Sequence, residues 1–600
     1  MKFPYKFRKG QKQALEFIKR NIDNNLCFDA PTGFGKTAII LTALLPLQYP
    51  IIWAVRTGNE ADRPIEELRV INDKLNKNFF GFSFRGKKDM CLLARDKKMD
   101  DTESIAYLCR RRRKDCYYYQ NLKYYKINPS KPILYSEIID ECVKAEVCPY
   151  YLQRELLFYA DVVSLSYNYI VHEPMGWVIK SIIPFDESIL VVDEAHNLRL
   201  IGSLNSDEIT LNTIKNAIKE LETIEAFEEK EAVELLFERA SELLKDMRMK
   251  EEERVISIND FTIGIEEYLN DIRRCGEKIR QRRLDEGKMP RSSAYHLANF
   301  LIESLKCEGI RGVTFIATAE KNNLLRIERW DMRSAEILKE KWKGFKTCIF
   351  CSGTLKPLNA FAETIGLENW KGKSFDTEIG KSRTLIVKGI STKGEELDEK
   401  DKEKYLELIE RFLSIDANLA IFSASYRIQE ELLIDVLKIA KKKGKDVFVE
   451  KQGMSGDESR KVLEDFKKSE NGLLIATMTG RFAEGADFPG RELEGIFLVG
   501  IPFDKANLRT KLYIDYYMQL YGEEKGWYYA YVIPALQRAS QALGRALRGK
   551  DDKALFVLGD ERYREKSYYR LLPSFVKAKV VEFEEAGNEI RRAWKELNLC

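Results

Sequence analysis

The chain has 600 residues, 44% of them apolar and 32% charged, a balance that supports several buried cores and excludes bulk disorder. Its net charge is only +4 (99 Lys and Arg against 95 Asp and Glu), which excludes a basic coat over the whole surface, so a polyanion must be met by local patches. Three histidines argue against a multi-histidine metal centre or a histidine triad, and the absence of any apolar run of about 18 residues argues against a membrane span.

The N-terminal segment lacks the apolar core of an export signal, so the chain is expected in the cytoplasm. In that setting the eleven cysteines read as thiols rather than a disulfide framework, and a clustered subset points to metal. Short apolar runs at 26–29, 51–55, 162–165, 189–192 and 347–351 predict parallel strands covered on both faces, and 38–45 predicts a helix after the first of them. Two segments interrupt this α/β pattern. Residues 76–152 carry five cysteines, nine tyrosines, and sixteen basic against ten acidic residues. Residues 210–309 are rich in Glu, Lys, Leu, Ile and Arg and hold no Gly or Pro between Leu211 and Thr262, a pattern of long helices on a narrow apolar stripe. A second α/β block follows, with strands expected at 385–387, 419–422, 447–449, 473–476, 496–499 and 554–558. The fold class is therefore α/β, with two parallel-sheet units of which the first is twice interrupted.

Between the first strand and its helix lies Ala30-Pro31-Thr32-Gly33-Phe34-Gly35-Lys36-Thr37. Glycines let backbone N–H groups turn inward on phosphate oxygens, Lys36 supplies a point charge for the β and γ phosphates of ATP, and the Thr37 hydroxyl suits Mg²⁺. Asp193-Glu194-Ala195-His196 ends another strand. Adjacent carboxylates there need a cation; Asp193 suits Mg²⁺, and Glu194 then orients and deprotonates the attacking water. In the second block Gln541 to Arg548 reads as helical, which places Gln541, Arg545 and Arg548 on one face, where guanidinium groups can meet a phosphate whose charge is developing. Loop and arginines lie some 500 residues apart (roughly), so cleft closure between two units would couple hydrolysis to motion.

Together these segments resemble a superfamily 2 helicase of the DEAH type. Ala30–Thr37 is similar to motif I, Thr57 to motif Ia, Asp193–His196 to the Asp-Glu-Ala-His box, Ser352-Gly353-Thr354-Leu355 to motif III and Ser423-Ala424-Ser425-Tyr426 to motif IV. Gly480 to Phe488 is similar to motif V, and Gln541–Arg548 to motif VI. The resemblance implies that Arg8 and Gln11 read the adenine and that Asp487 also faces the nucleotide.

Cys91, Cys109, Cys116, Cys142 and Cys148 do not follow the paired spacing of a zinc ribbon. Their place between the phosphate loop and the Asp-Glu-Ala-His box, with Lys87-Lys88-Asp89-Met90-Cys91 and Cys148-Pro149-Tyr150-Tyr151-Leu152, resembles the iron–sulfur domain of XPD-family helicases. The resemblance implies a [4Fe–4S] cluster on Cys91, Cys109, Cys116 and Cys148, with Cys142 left over. It further implies single-stranded or forked DNA as partner, contacts from Thr57, Lys87, Tyr150 and Arg154, 5′ to 3′ movement, a part in DNA repair and a monomer. Beside these residues, Arg110 to Lys114 and the nearby tyrosines suit phosphates and base faces. The domains implied are two RecA-like motor units: 1–75, 153–209 and 310–380 for the first and 381–600 for the second, with an iron–sulfur domain at 76–152 and a helical arch at 210–309. A related cluster helicase of the DinG type, acting on R-loops or G-rich structures, carries a similar motif set. A damage-binding module with a vestigial ATPase is the reading from another class, against which the intact Lys36, Glu194, Arg545 and Arg548 stand.

Overall fold

The computed structural model describes residues 1–126, 129–248, 252–320, 324–376, 380–393, 397–485, 488, 490–547 and 549–599. Asp487 and Arg548, both expected in the nucleotide site, lie outside the described residues.

Two seven-stranded sheets, parallel throughout, organise the chain. The first runs in the spatial order Trp370–Ser374, Asn25–Asp29, Thr347–Ser352, Ile189–Val192, Ile51–Val55, Val162–Ser166, Gly81–Ser83. The second runs Asp446–Val449, Gly472–Thr477, Leu419–Ser423, Gly495–Val499, Lys553–Gly559, Lys381–Val387, Ala578–Val581. Each apolar run expected as a strand forms one. Its central members are buried residue by residue, as in Ile51–Val55 and Leu419–Ser423. In these two parallel sheets the strands the sequence conceals are edge strands. Trp370–Ser374 and Ala578–Val581 are partly exposed and mixed in polarity, and Gly81–Ser83 is three residues long, so none shows a continuous apolar run.

The cysteine-bearing insertion folds as short helices, among them Thr102–Arg112, Tyr135–Ala145 and Pro149–Leu156. Its expected span includes Gly81–Ser83, which instead pairs with Val162–Ser166 in the first sheet. The second insertion is helical over Leu211–Glu222, Phe227–Arg248, Leu269–Asp285 and Ser293–Cys307. These helices pack on an antiparallel sheet ordered Asp207–Thr210, Leu324–Asp331, Val313–Glu320, Glu253–Val255. The strands Val313–Glu320 and Leu324–Asp331, expected within the first motor unit, thus pair with each other and with strands that flank the helices. Their Phe315, Ala317, Leu325 and Ile327 give the helices an apolar face that they cover.

The two insertions touch through Arg280. Its guanidinium lies 4.3 Å from the ring centroids of both Tyr107 and Tyr295 and pairs with Glu103 at 2.8 Å. Arg111–Glu277, Arg112–Asp285 and Arg291–Asp101 line the same seam. Within the second insertion, Gly276 lets the helix Leu269–Asp285 approach Ser293–Cys307 closely, because a Cβ there would lie 2.4 Å from the backbone nitrogen of Tyr295. Arg509 of the second lobe pairs with Glu253 and Glu328 at 2.7 Å each, tying that lobe to the antiparallel sheet.

Candidate nucleotide and nucleic-acid sites

Parallel pairing brings distant segments to one edge. The strands ending at Asp29, Ser352, Val192 and Val55 are consecutive neighbours, so the phosphate loop, the Ser352–Leu355 segment, Asp193–His196 and Arg56–Thr57 leave the sheet side by side. Such a carboxyl edge is where open α/β sheets bind ligands.

Gly33 and Gly35 take positive φ (78° and 83°), and Gly35 precedes the helix Lys36–Leu44, so the loop turns its backbone toward the helix N-terminus. Arg8 and Gln11 clamp the loop. Arg8 donates to the Gly33 carbonyl at 3.0 Å, Gln11 Nε2 donates to the Phe34 carbonyl at 2.6 Å, and the Arg8 N–H donates to Gln11 Oε1 at 2.7 Å. Ala30, Pro31, Thr32 and Phe34 complete the loop, with Phe34 buried. The Lys36 ammonium rests on the Ala30 carbonyl at 3.2 Å, a contact that a phosphate can displace.

Glu194 sits at φ 45°, a conformation costly for a non-glycine residue. Tyr167 holds this turn by donating to the carbonyls of Asp193 and Glu194. Enclosure in the cleft and the neighbouring Glu194 charge raise Asp193 above the usual carboxylate range. Enclosure would raise Glu194 too, but the Lys36 charge, with the Ser352 hydrogen bond and Arg545, outweighs it and holds Glu194 low. Asp193 is thus an oxygen donor in need of a cation, and Glu194 an ionised base.

Ser352 and His196 join this base to the second lobe. Ser352 Oγ lies 3.1 Å from Glu194 Oε2 and 2.7 Å from His196 Nδ1, and His196 Nε2 lies 2.7 Å from Gln541 Nε2. Burial lowers the His196 imidazole to about 4, so it is neutral near pH 7. One proton arrangement satisfies the chain: Gln541 donates to Nε2, Nδ1–H donates to Ser352, and Ser352 donates to Glu194. Gln537 adds a second crossing by donating to the Thr354 carbonyl at 2.7 Å.

The helix expected through Arg548 is Ile533–Leu543 and ends before Gly544. Its last turn tightens, with Arg545 N–H donating to the Ala542 carbonyl, as helix ends do when glycine follows. Arg545 therefore enters the cleft from a turn, with its Nε donating to the Ala483 carbonyl at 2.6 Å. The cleft, of ≈ 260 Å³, is lined by Thr32, Glu60, Asp193, Glu194, Gln541 and Arg545 among others.

Asp29 is a participant the motif reading missed. It is buried, accepts the Leu355 N–H at 3.1 Å and lies 4.0 Å from the Lys356 ammonium, so it locks the phosphate-loop strand to the segment after Ser352. Its position as the last strand residue before the loop was the available signal.

Thr57, Lys87, Tyr150 and Arg154 flank a group centred on Arg85 and Gln153. Thr57 is exposed beside Gly58, where an added Cβ would lie 1.8 Å from Arg85 Nη1. Gln153 clasps the Arg85 backbone, accepting its N–H at 3.0 Å and donating to its carbonyl at 2.6 Å. Lys87 lies 5.2 Å over the Tyr150 ring. Tyr150, expected to touch DNA, is only 7% exposed and packs edge-on against Phe84 and Tyr151. It supports Lys87 from below and offers no open face. Arg154 is half-buried near Tyr151, and its Nε is buried with no hydrogen-bond partner among the described residues.

Cys91, Cys116 and Cys148 each cap the start of a helix, where N–H groups favour a thiolate. Burial pushes Cys148 up to about 12, the Tyr151 N–H opposes this, and charge on Cys109, Cys91 and Cys116 adds to it. Cys148 in turn raises Cys142, so all five thiols of this segment are electrostatically linked. Cys142 lies inside the helix Tyr135–Ala145, fully buried in an apolar cluster. Among the described residues no three His, Cys, Asp or Glu side chains gather closely enough to hold one metal ion. Among the described residues no helix is long and apolar enough to cross a membrane.

Residues 53–214 match the family described as DEAD_2 and residues 408–579 match the helicase C-terminal domain, together more than half of the chain. The chain belongs to the XPD/Rad3 family of superfamily 2 helicases. The Saccharomyces cerevisiae general transcription and DNA repair factor IIH helicase subunit XPD/RAD3 is 24% identical, with 94% of this chain and 87% of that protein aligned. The Sulfolobus acidocaldarius ATP-dependent DNA helicase XPD is 26% identical over 94% of this chain and 97% of that protein. A solved XPD helicase structure superposes with a TM-score of 0.69 at 22% identity, covering 96% of this chain and all of that one, and shares the two-sheet fold. Within the XPD/Rad3 frame the two family matches fall on either side of the nucleotide cleft.

Proposed function

We propose that this chain is an ATP-dependent DNA helicase that moves 5′ to 3′ on single-stranded DNA and opens forks in DNA repair. The observation that carries the reading is the nucleotide cleft shared by two lobes, with Lys36, Asp193 and Glu194 on one and Gln541 and Arg545 on the other. Lys36 and the loop N–H groups bind the phosphates, Thr37 and Asp193 are oxygen donors for Mg²⁺, and Mg²⁺ supplies neutralising charge when bound. Glu194 takes the proton of the attacking water. Arg545 reaches the leaving phosphate only while the lobes are closed, so turnover requires that movement. Asp487 and Arg548 complete the nucleotide-binding set by family resemblance.

Thr57, Lys87 and Arg154 serve as strand contacts, with Tyr150 as the buried floor beneath Lys87. Cys91, Cys109, Cys116 and Cys148 would hold a [4Fe–4S] cluster, which when bound ties the short helices of a segment too small for a large core of its own. The chain works as a monomer built of two motor units, an iron–sulfur domain and a helical arch.

Strand displacement on forked DNA bearing only a 5′ or only a 3′ tail tests this. Displacement of the 5′-tailed fork alone is expected. Displacement of the 3′-tailed fork alone overturns the polarity, and inactivity on both overturns the helicase reading.

A further inference from the structure

The side chain of Glu450 lies just past the strand Asp446–Val449, at the edge of the second sheet that carries Thr477. It is 2% exposed. Its two oxygens are spent on backbone: Oε2 accepts the Thr477 N–H at 3.2 Å and Oε1 accepts the Arg481 N–H at 2.7 Å. Gly480, between those donors, has no room for a side chain, because a Cβ there would lie 2.2 Å from Glu450 Oε2. Gly480 has no positive φ, so this contact rather than backbone conformation excludes larger residues. Behind the carboxylate, Gln429 donates to the Glu450 carbonyl at 2.7 Å from the helix that Ser425 caps.

The turn held this way, 477–483, ends at the carbonyl that receives Arg545 Nε. A buried carboxylate is expensive unless its acceptors are filled, and this one spends both on the backbone of a turn whose Met478, Phe482 and Ala483 side chains are buried in the core of the second lobe. We propose that Glu450 is a positioning residue for ATP hydrolysis: it sets the 477–483 turn so that the Ala483 carbonyl holds Arg545 in the nucleotide cleft. This rests on the ATPase reading above and adds a residue that touches neither nucleotide nor metal. Both oxygens must accept, so the geometry requires the ionised form. An amide in its place would set an N–H₂ group against a backbone N–H.

Glu450→Gln in the full chain tests the inference by DNA-stimulated ATP turnover. The expected result is a kcat lowered about 10- to 100-fold with KM for ATP moving less than about threefold, since the guanidinium acts on developing charge rather than on ground-state binding. Glu450→Asp, which keeps two acceptors, recovers part of the rate. The loss is not additive with Arg545→Ala: the double variant is no slower than Arg545→Ala alone. Gly480→Ala, which crowds the same carboxylate without removing it, gives the same kinetic split and the same non-additivity, and it serves if Glu450→Gln does not fold. Additive losses, or a kcat within about twofold of the parent for the folded variants, overturn the proposal. A parent chain with no DNA-stimulated turnover overturns the ATPase reading instead.

Discussion

Replacing Gln541 by alanine removes the amide that donates to His196 Nε2 across 2.7 Å. His196 is 8% exposed and its other nitrogen is engaged by Ser352, so Nε2 is left as a buried acceptor without a donor. That loss costs about 1–3 kcal/mol, equivalent to about a 5- to 150-fold change in rate if the bond is needed only in the closed state. Gln541 contacts the base Glu194 only through His196 and Ser352, so the effect should fall on kcat, with KM for ATP nearly unchanged. Steady-state ATP hydrolysis saturated with single-stranded DNA measures both constants. His196→Ala should cause a similar loss, and the pair together should cost no more than the worse single change. A Gln541→Ala enzyme with the parent kcat, or one whose defect lies wholly in KM, would refute the idea that the bridge reports lobe closure to the base.

The three histidines make selectively labelled imidazoles resolvable by NMR. His196 should stay neutral and carry its proton on Nδ1 as pH falls to about 5, because burial lowers it to about 4. His296, hydrogen-bonded to Asp207 at 3.3 Å, should by contrast protonate above the ordinary histidine range. A His196 signal titrating near pH 6.5, the ordinary value, contradicts the assigned tautomer. Serine substitutions will sort the thiols by the charge-transfer absorbance near 400 nm (roughly). Cys109→Ser should bleach the anaerobically purified protein and Cys142→Ser should not, and the reverse pattern would reassign the ligand set. Arg280→Ala removes a 3% exposed guanidinium from between two tyrosines and should weaken the seam between the insertions by about 2–4 kcal/mol. Hydrogen exchange in Thr102–Arg112 should rise, and unchanged protection there would show that the flanking ion pairs suffice.

What could be read from the chain alone was local. Buried parallel strands announce themselves as short apolar runs, so Ile51–Val55 and Ile189–Val192 are legible to the residue. The glycines of 33–37 and the paired carboxylates after Val192 name a phosphate and a cation because no other use of those residues at a strand end is inexpensive. The edge strands Trp370–Ser374 and Ala578–Val581 escaped because much of their surface meets water, Gly81–Ser83 because it is three residues long, and the helix over 541–548 was overdrawn because spacing alone does not show that the chain turns at Gly544. Three things were decided only by tertiary structure. Strand order put Asp29, Ser352, Asp193 and Arg56 on one edge although more than 300 residues separate the outermost. Packing buried Tyr150 and set Cys142 inside a helix, whereas Cys91, Cys116 and Cys148 precede helices. Long-range hydrogen bonds gave Glu450 and His196 their partners. Local pattern reports how a residue meets its nearest neighbours and water, whereas pairing, burial and distant partners depend on which segments the whole chain brings together.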